Sequence, residues 1–239
     1  MLQELLKKEN YNFEDLKEIM RILRSENGCP WDREQTHKSI RNNFIEEVYE
    51  AVEAIDNDNP GLLKEELGDS LLQIVFHAQI SSEAGEFDID DVCDEICKKL
   101  IIRHPHIFSD IKVIEADTSE QVLANWENIK IKEKGYINAK EYVESVAKSL
   151  PALMRTEKIQ KRLIKRNIIE KNSIEYKING LKEHIKDLEN GENRQSDINS
   201  EIIGRILYDI VGIANEYNIS SEQALCDFDE KTLKKMLKF

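Results

Sequence analysis

Between Leu62 and Ile80 the apolar side chains, placed at about 100° per residue, cover nearly the whole circumference of a helix. One narrow polar stripe is left: Glu66, Asp69, Ser70, Gln73 and His77. A helix that is apolar nearly all round is a buried helix, so this stripe faces an interior or a cleft. No segment shows sustained period-two alternation. The 239 residues contain only 9 Gly and 4 Pro, with 34% charged side chains, a balance that suits amphipathic helices rather than turn-dense sheet. The expectation is an all-α fold.

Stop and start signals divide the chain into helices. Phe13, Leu16, Ile19, Met20 and Leu23 have helical spacing and end at Asn27-Gly28. A loop follows at Cys29-Pro30-Trp31-Asp32, and Thr36 is expected to cap a helix running to about Asp56. Asn59 caps and Pro60 opens the next helix, which reaches about Glu83 before Gly85. Asp88 starts another that ends near His104-Pro105, and Thr118 or Ser119 begins one through Trp126 to Lys134. From Ala139 to Glu170 a helical pattern is expected with Pro151 bending or interrupting it, followed by helices at roughly 173–190, 196–217 and 221–238.

The formal net charge of -13 repels a nucleic-acid backbone, so a phosphorylated substrate would need a bridging cation. Met1 to Asn10 has neither the apolar core nor the cleavage site of a signal peptide, and no run approaches membrane-spanning length. The expectation is a cytoplasmic protein with no membrane or nucleic-acid partner. Cys29, Cys93, Cys97 and Cys226 read as reduced thiols; a zinc site from Cys93, Cys97, His104 and His106 fits no usual ligand spacing.

The apolar stripes repeat. Ile45, Val48, Val52 and Ile55 are spaced three, four, three, as are Ile178, Leu181, Ile185 and Leu188. Leu67, Gly68, Leu71, Leu72, Ile74, Val75 and Ala78 then superpose on Ile203, Gly204, Leu207, Tyr208, Ile210, Val211 and Ala214. Two matches in the same order, with Gly on Gly, predict a tandem duplication.

Glu46, Glu47, Glu50 and Glu53 lie away from their helix's apolar stripe, and taken alone they describe a solvated acidic face. Glu66 and Asp69 on the buried helix change that reading, because two inward carboxylates one turn apart repel unless something positive joins them. Lys and Arg are absent from the stripe, so a divalent cation with oxygen ligands is the economical answer. Pairing the stripe with Glu47 and Glu50 of the preceding helix gives a four-carboxylate site suited to Mg²⁺ or Mn²⁺. A di-iron bundle wants two Glu-x-x-His pairs on its helices, and only Glu34-x-x-His37, near a helix start, has that form. His77 alone reads as a packed core histidine.

These residues carry a family resemblance. Cys29-Pro30-Trp31-Asp32 with Glu34-Gln35-Thr36, Glu46-Glu47-x-x-Glu50, Glu66-x-x-Asp69, Arg103-His104-Pro105-His106-Ile107-Phe108 and Asn125-Trp126-Glu127 occur in the order seen in the MazG nucleoside triphosphate pyrophosphohydrolases, which the chain resembles strongly over roughly residues 13–134. The resemblance implies an all-α fold of tandem MazG-like helical bundles, usually a homodimer, that hydrolyses nucleoside triphosphates to nucleoside monophosphate and pyrophosphate with Mg²⁺. It implies Glu47, Glu50, Glu66 and Asp69 as metal ligands, and Glu46 as a further ligand or as the base that, with Glu47, serves catalysis. Arg103 and Lys130 are candidates to hold phosphates, each weighed against a plain surface cation, and Trp31 to stack on a base, weighed against a packing anchor. Relatives often carry two arginines before the His-Pro-His, where this chain has Ile102 and one Arg.

On the repeat alignment Glu46, Glu47, Glu50, Glu66 and Asp69 fall on Asn179, Gly180, Glu183, Ile202 and Arg205, so the second acidic motif has decayed. The expected organisation is a catalytic domain at 1–135 and a degenerate one at 136–239. Alternatives are an enzyme selective for one non-standard nucleotide, or a non-catalytic helical dimerisation module.

Overall fold

The computed structural model describes residues 2–108, 118–136, 138–190 and 196–237. Among them there are thirteen helices and no strand. The chain is therefore all-α. It divides into two compact units, one ending at Trp126 and one starting at Glu127.

The first unit opens with α1 (Leu2–Leu5), α2 (Phe13–Leu23) and the short α3 (Pro30–Glu34), which replaces the expected Pro-Trp loop. Then come α4 (Arg41–Asp56), α5 (Pro60–Glu83), α6 (Ile89–Arg103) and α7 (Pro105–Phe108). Local chemistry sets these limits. Asn12 and Asp15 form a capping box on α2, Asp88 and Asp91 form one on α6, and Asn59 Oδ1 accepts from the Leu62 amide ahead of Pro60. Thr36 does not open α4 as expected. Its hydroxyl and that of Ser39 accept from each other's backbone N–H, closing a separate turn, and the helix starts only at Arg41.

The core of this unit gathers Met20 from α2, Ile40, Val75, Phe76 and Ala78 from α5, and Ile89 from α6. Arg24 ties the α3 loop to it. Its guanidinium donates to Glu83 (Nη2 to Oε2, 2.7 Å) and to the backbone carbonyls of Asp32 and Gln35, and lies 5.3 Å from the Phe76 ring centroid. Gly28 lies in the turn after α2, which folds back so that a Cβ there would stand 2.2 Å from the Leu23 carbonyl oxygen. Gly28→Ala should therefore lower the thermal midpoint, by an amount corresponding to about 1–3 kcal/mol, checked by calorimetry; an unchanged midpoint would mean that the turn relaxes freely.

Helix α8 (Ser119–Glu133) spans the boundary in sequence, and α9 (Ala139–Glu144), α10 (Ala152–Lys165), α11 (Ile174–Glu189), α12 (Ser196–Glu216) and α13 (Ser221–Leu237) build the second unit. Pro151 interrupts the helical pattern and stands as the N-cap of α10. Within the first unit α5 packs against α2, α4 and α6; within the second, α12 packs against α10, α11 and α13.

The faces turned inward differ from the expected ones. Ala51 and Ala54 are the buried residues of α4, while the stripe Ile45, Val48, Val52 and Ile55 is exposed. On α5 the polar stripe is inside, with Glu66 and Gln73 buried, whereas Leu67, Leu71 and Ile74 are uncovered. Small residues let α4 approach α5 closely, and the apolar stripes of both helices are left to face outward.

Candidate metal centre

Helices α4 and α5 are antiparallel neighbours, which sets Glu47 opposite Asp69 and Glu50 opposite Glu66. Ligand oxygens of Glu47, Glu66 and Asp69 all lie within 4.8 Å of one another. Among the described residues no other group of three His, Cys, Asp or Glu side chains converges in this way. Glu66 is 8% exposed, Glu47 and Asp69 are half-buried, and Glu46 and Glu50 are exposed.

The electrostatics are those of crowded anions. Burial, followed by the charges of Asp69, Glu50 and Glu46, holds the Glu47 carboxyl above the usual carboxylate range. Burial also raises Glu66, aided by the charge of Glu50 and a hydrogen bond with it, and then by Glu65 and Asp69. A hydrogen bond between two carboxyls requires a proton on one of them, so a cation and a proton compete for this position. The donor set is oxygen only. Gln73 Oε1, one turn beyond Asp69 on α5, is buried without a hydrogen-bond partner. Converging carboxylates beside an orphaned amide oxygen fit a hard divalent cation.

The other candidates lie as follows. Arg103 is buried at the end of α6, its guanidinium 5.0 Å from the Trp126 ring centroid, so it is not a plain surface cation. Trp31 on α3 is 57% exposed and does not serve as a packing anchor within the chain. Lys130 belongs to the second unit, where it lines a groove with residues of α10. His77 engages His37 as well as the Phe44 ring: the two histidine Nδ1 atoms are 2.8 Å apart in stacked rings, the Phe44 centroid lies 5.7 Å from that of His77, and His37 Nε2 is 3.2 Å from Ser81 Oγ. Burial and His37 lower the His77 pKa. The pairing is not legible in the sequence because 40 residues separate the two histidines and no local spacing joins them.

In the second unit Arg205 turns to Glu201 on its own helix, at 2.7 Å. The facing α11 and α12 side chains are instead joined by His184 Nδ1 and Asp209 Oδ2, 2.7 Å apart, in a cavity that Glu183 also lines.

An all-helical chain that gathers acidic side chains on paired helices, without a basic side chain on that stripe, defines a helical protein centred on a carboxylate cluster. The MazG nucleotide pyrophosphohydrolase domain matches residues 35–108, the stretch that contains every converging carboxylate. The MazG nucleoside triphosphate pyrophosphohydrolase/pyrophosphatase of Thermotoga maritima is 39% identical over 213 residues, 89% of this chain and 79% of that protein. The nucleoside triphosphate pyrophosphohydrolase of Escherichia coli is 48% identical over 145 residues, 60% of this chain and 54% of its own length. Bacillus subtilis YabN is 48% identical over 151 residues, 63% of this chain, and the match spans only 30% of YabN. The chain belongs to the MazG family of nucleotide pyrophosphohydrolases. No helix among the described residues is long and apolar enough to cross a membrane.

Proposed function

We propose that this protein hydrolyses nucleoside triphosphates, ribo and deoxy, to nucleoside monophosphate and pyrophosphate at the carboxylate cluster of its first unit. The observation that carries the reading is the approach of Glu47, Glu66 and Asp69 within 4.8 Å inside the matched family domain. Glu47, Glu50, Glu66 and Asp69 would hold Mg²⁺, with Mn²⁺ a chemically equivalent choice. When bound, the cation supplies charge that neutralises phosphate oxygens and acidifies a nearby water.

The chain's own groups do the rest. Glu46, or Glu47 where it is not engaged, takes the proton from the water that attacks the α-phosphorus. The bond from the α-phosphorus to the β-bridging oxygen breaks and pyrophosphate leaves, so positioning and charge neutralisation carry most of the rate. Arg103 is assigned to phosphate oxygens and the exposed ring of Trp31 to the base. The second unit is read as a degenerate repeat, supported by its matching order of packed helix pairs and by a His184–Asp209 pair between α11 and α12 where, among the described residues, no carboxylates converge.

The test is pyrophosphate release from a panel of NTPs and dNTPs with Mg²⁺ and with EDTA. Turnover of several nucleotides that disappears in EDTA is expected. Turnover of a single non-standard nucleotide would narrow the substrate class, and turnover in EDTA would remove the metal from the proposal.

A second copy of the chain is proposed to cover the exposed stripes of α4 and α5, since an apolar surface of this extent is rarely left uncovered on a monomer. Gly68 is compatible with this reading: apart from its own helix backbone and chain neighbours, no heavy atom lies within 4 Å of where its Cβ would stand, so a partner helix has room to come close. Leu71→Glu, a position 37% exposed in the single chain, should convert a dimer to a folded monomer in sedimentation analysis. A dimer that forms without turnover would favour the non-catalytic module instead.

A further inference from the structure

The second unit carries a concentration of positive charge that runs against the rest of the molecule. On α10, Lys158, Lys161, Arg162 and Lys165 stand at i, i+3, i+4 and i+7, which places them on one face of the helix. With Lys130 of α8 they line a cavity of about 250 Å³ in which Glu127 is the one acidic side chain. Five cations against one carboxylate, in a chain of net charge -13, is a local reversal of sign.

The wall of this groove is built rather than loose. Arg162 Nη1 donates to the Tyr142 carbonyl and, at 2.6 Å, to Ser145 Oγ, and its guanidinium lies 4.5 Å from the Tyr142 ring centroid. Tyr142 is 2% exposed, and its hydroxyl donates to Glu127 Oε1 at 2.6 Å. Burial and then that hydrogen bond push the Tyr142 phenol up to about 12, so it stays a neutral donor and Glu127 is held by it. Lys161 leans on Glu157 at 2.5 Å, whereas Lys158 and Lys165 form no ion pair among the described residues.

Cations crowded on one helix face repel one another, and a multiply charged anion relieves that repulsion at every contact. The cavity is smaller than the roughly 300–1,000 Å³ typical of sites for drug-sized ligands, which favours a compact anion over a whole nucleotide. We infer that the groove between α8 and α10 is a metal-independent binding site for a short polyphosphate chain, separate from the carboxylate cluster. It stands independently of the proposed hydrolytic activity, because it needs neither the carboxylates nor a divalent cation.

The test is calorimetric titration of the full chain in EDTA, at a fixed ionic strength of about 0.15 M where exposed charges are screened beyond roughly 8 Å. Inorganic tripolyphosphate, pyrophosphate, orthophosphate and ATP are the probes. Saturable one-site binding is expected, with tripolyphosphate at least tenfold tighter than orthophosphate. Lys158→Gln combined with Lys165→Gln should weaken tripolyphosphate at least tenfold, and Glu50→Gln should leave it unchanged. Lys158 and Lys165 are chosen because both are exposed, and circular dichroism checks the fold of the double variant. ATP binding as tightly as tripolyphosphate would identify the phosphate chain of a nucleotide as the source; binding of tripolyphosphate alone would identify an inorganic anion. Absence of saturable binding, or equal affinity in the folded double variant, would overturn the site.

Discussion

Asp69→Asn is expected to reduce pyrophosphate release by about 10²- to 10³-fold while leaving the helical content unchanged, a loss of the size seen when one electrostatic contact is removed from an active site. The substitution keeps shape and removes one charge from a cluster whose other oxygens lie within 4.8 Å. Glu50→Gln should do the same, since its carboxyl touches Glu66. The informative control is Glu183→Gln, at the position that the repeat alignment makes equivalent to Glu50. Glu183 is exposed beside the His184–Asp209 pair and, among the described residues, joins no converging group of carboxylates, so its loss should leave turnover nearly unaltered. Steady-state rates at saturating Mg²⁺, with folding checked by circular dichroism, separate the two. Comparable losses from Asp69→Asn and Glu183→Gln would mean that both units contribute to the chemistry.

Millimolar Mg²⁺ or Mn²⁺ should raise the thermal midpoint of the protein by roughly 5–10 °C. A cation that binds only the folded cluster stabilises it by mass action, about 2.7 kcal/mol at a hundredfold excess over its dissociation constant, and a kilocalorie moves the midpoint of a domain this size by several degrees. The gain should grow as pH rises. Burial and neighbouring carboxylates hold Glu47 and Glu66 above the usual range, so at low pH protons occupy the oxygens and oppose the metal. The same raised values mean that the metal-free fold is favoured by protonation below the ordinary carboxylate pKa and loses that advantage as pH increases through the raised ones. Glu66→Gln should remove most of the metal-induced gain. An equal gain in that variant, read by differential scanning calorimetry, would place the cation elsewhere.

Helix content and most boundaries were determined by the sequence itself, because they depend on neighbours a few residues apart. Asn59 before Pro60, Asp88 with Asp91, and Gly85 after Glu83 act through local hydrogen bonds and backbone preference. The inward direction of Glu66 was legible for the same reason, as the narrow polar stripe of an otherwise apolar helix. The convergence of Glu47 with Glu66 and Asp69 was legible in part, since carboxylates on the facing sides of consecutive antiparallel helices come together when the helices pack. Periodicity was silent on which stripe meets which. It identified Ile45, Val48, Val52 and Ile55 as one face, but only packing decided that Ala51 and Ala54 would go inside and leave that face exposed. Close helix approach favours the small side chains and holds Glu47 against Asp69, and no local property of α4 records that geometry. The His37–His77 contact and the basic groove of α10 also depend on tertiary structure. Their partners are far apart in sequence, and a cation at helical spacing becomes part of a site only when Tyr142 and Glu127 fold up beside it.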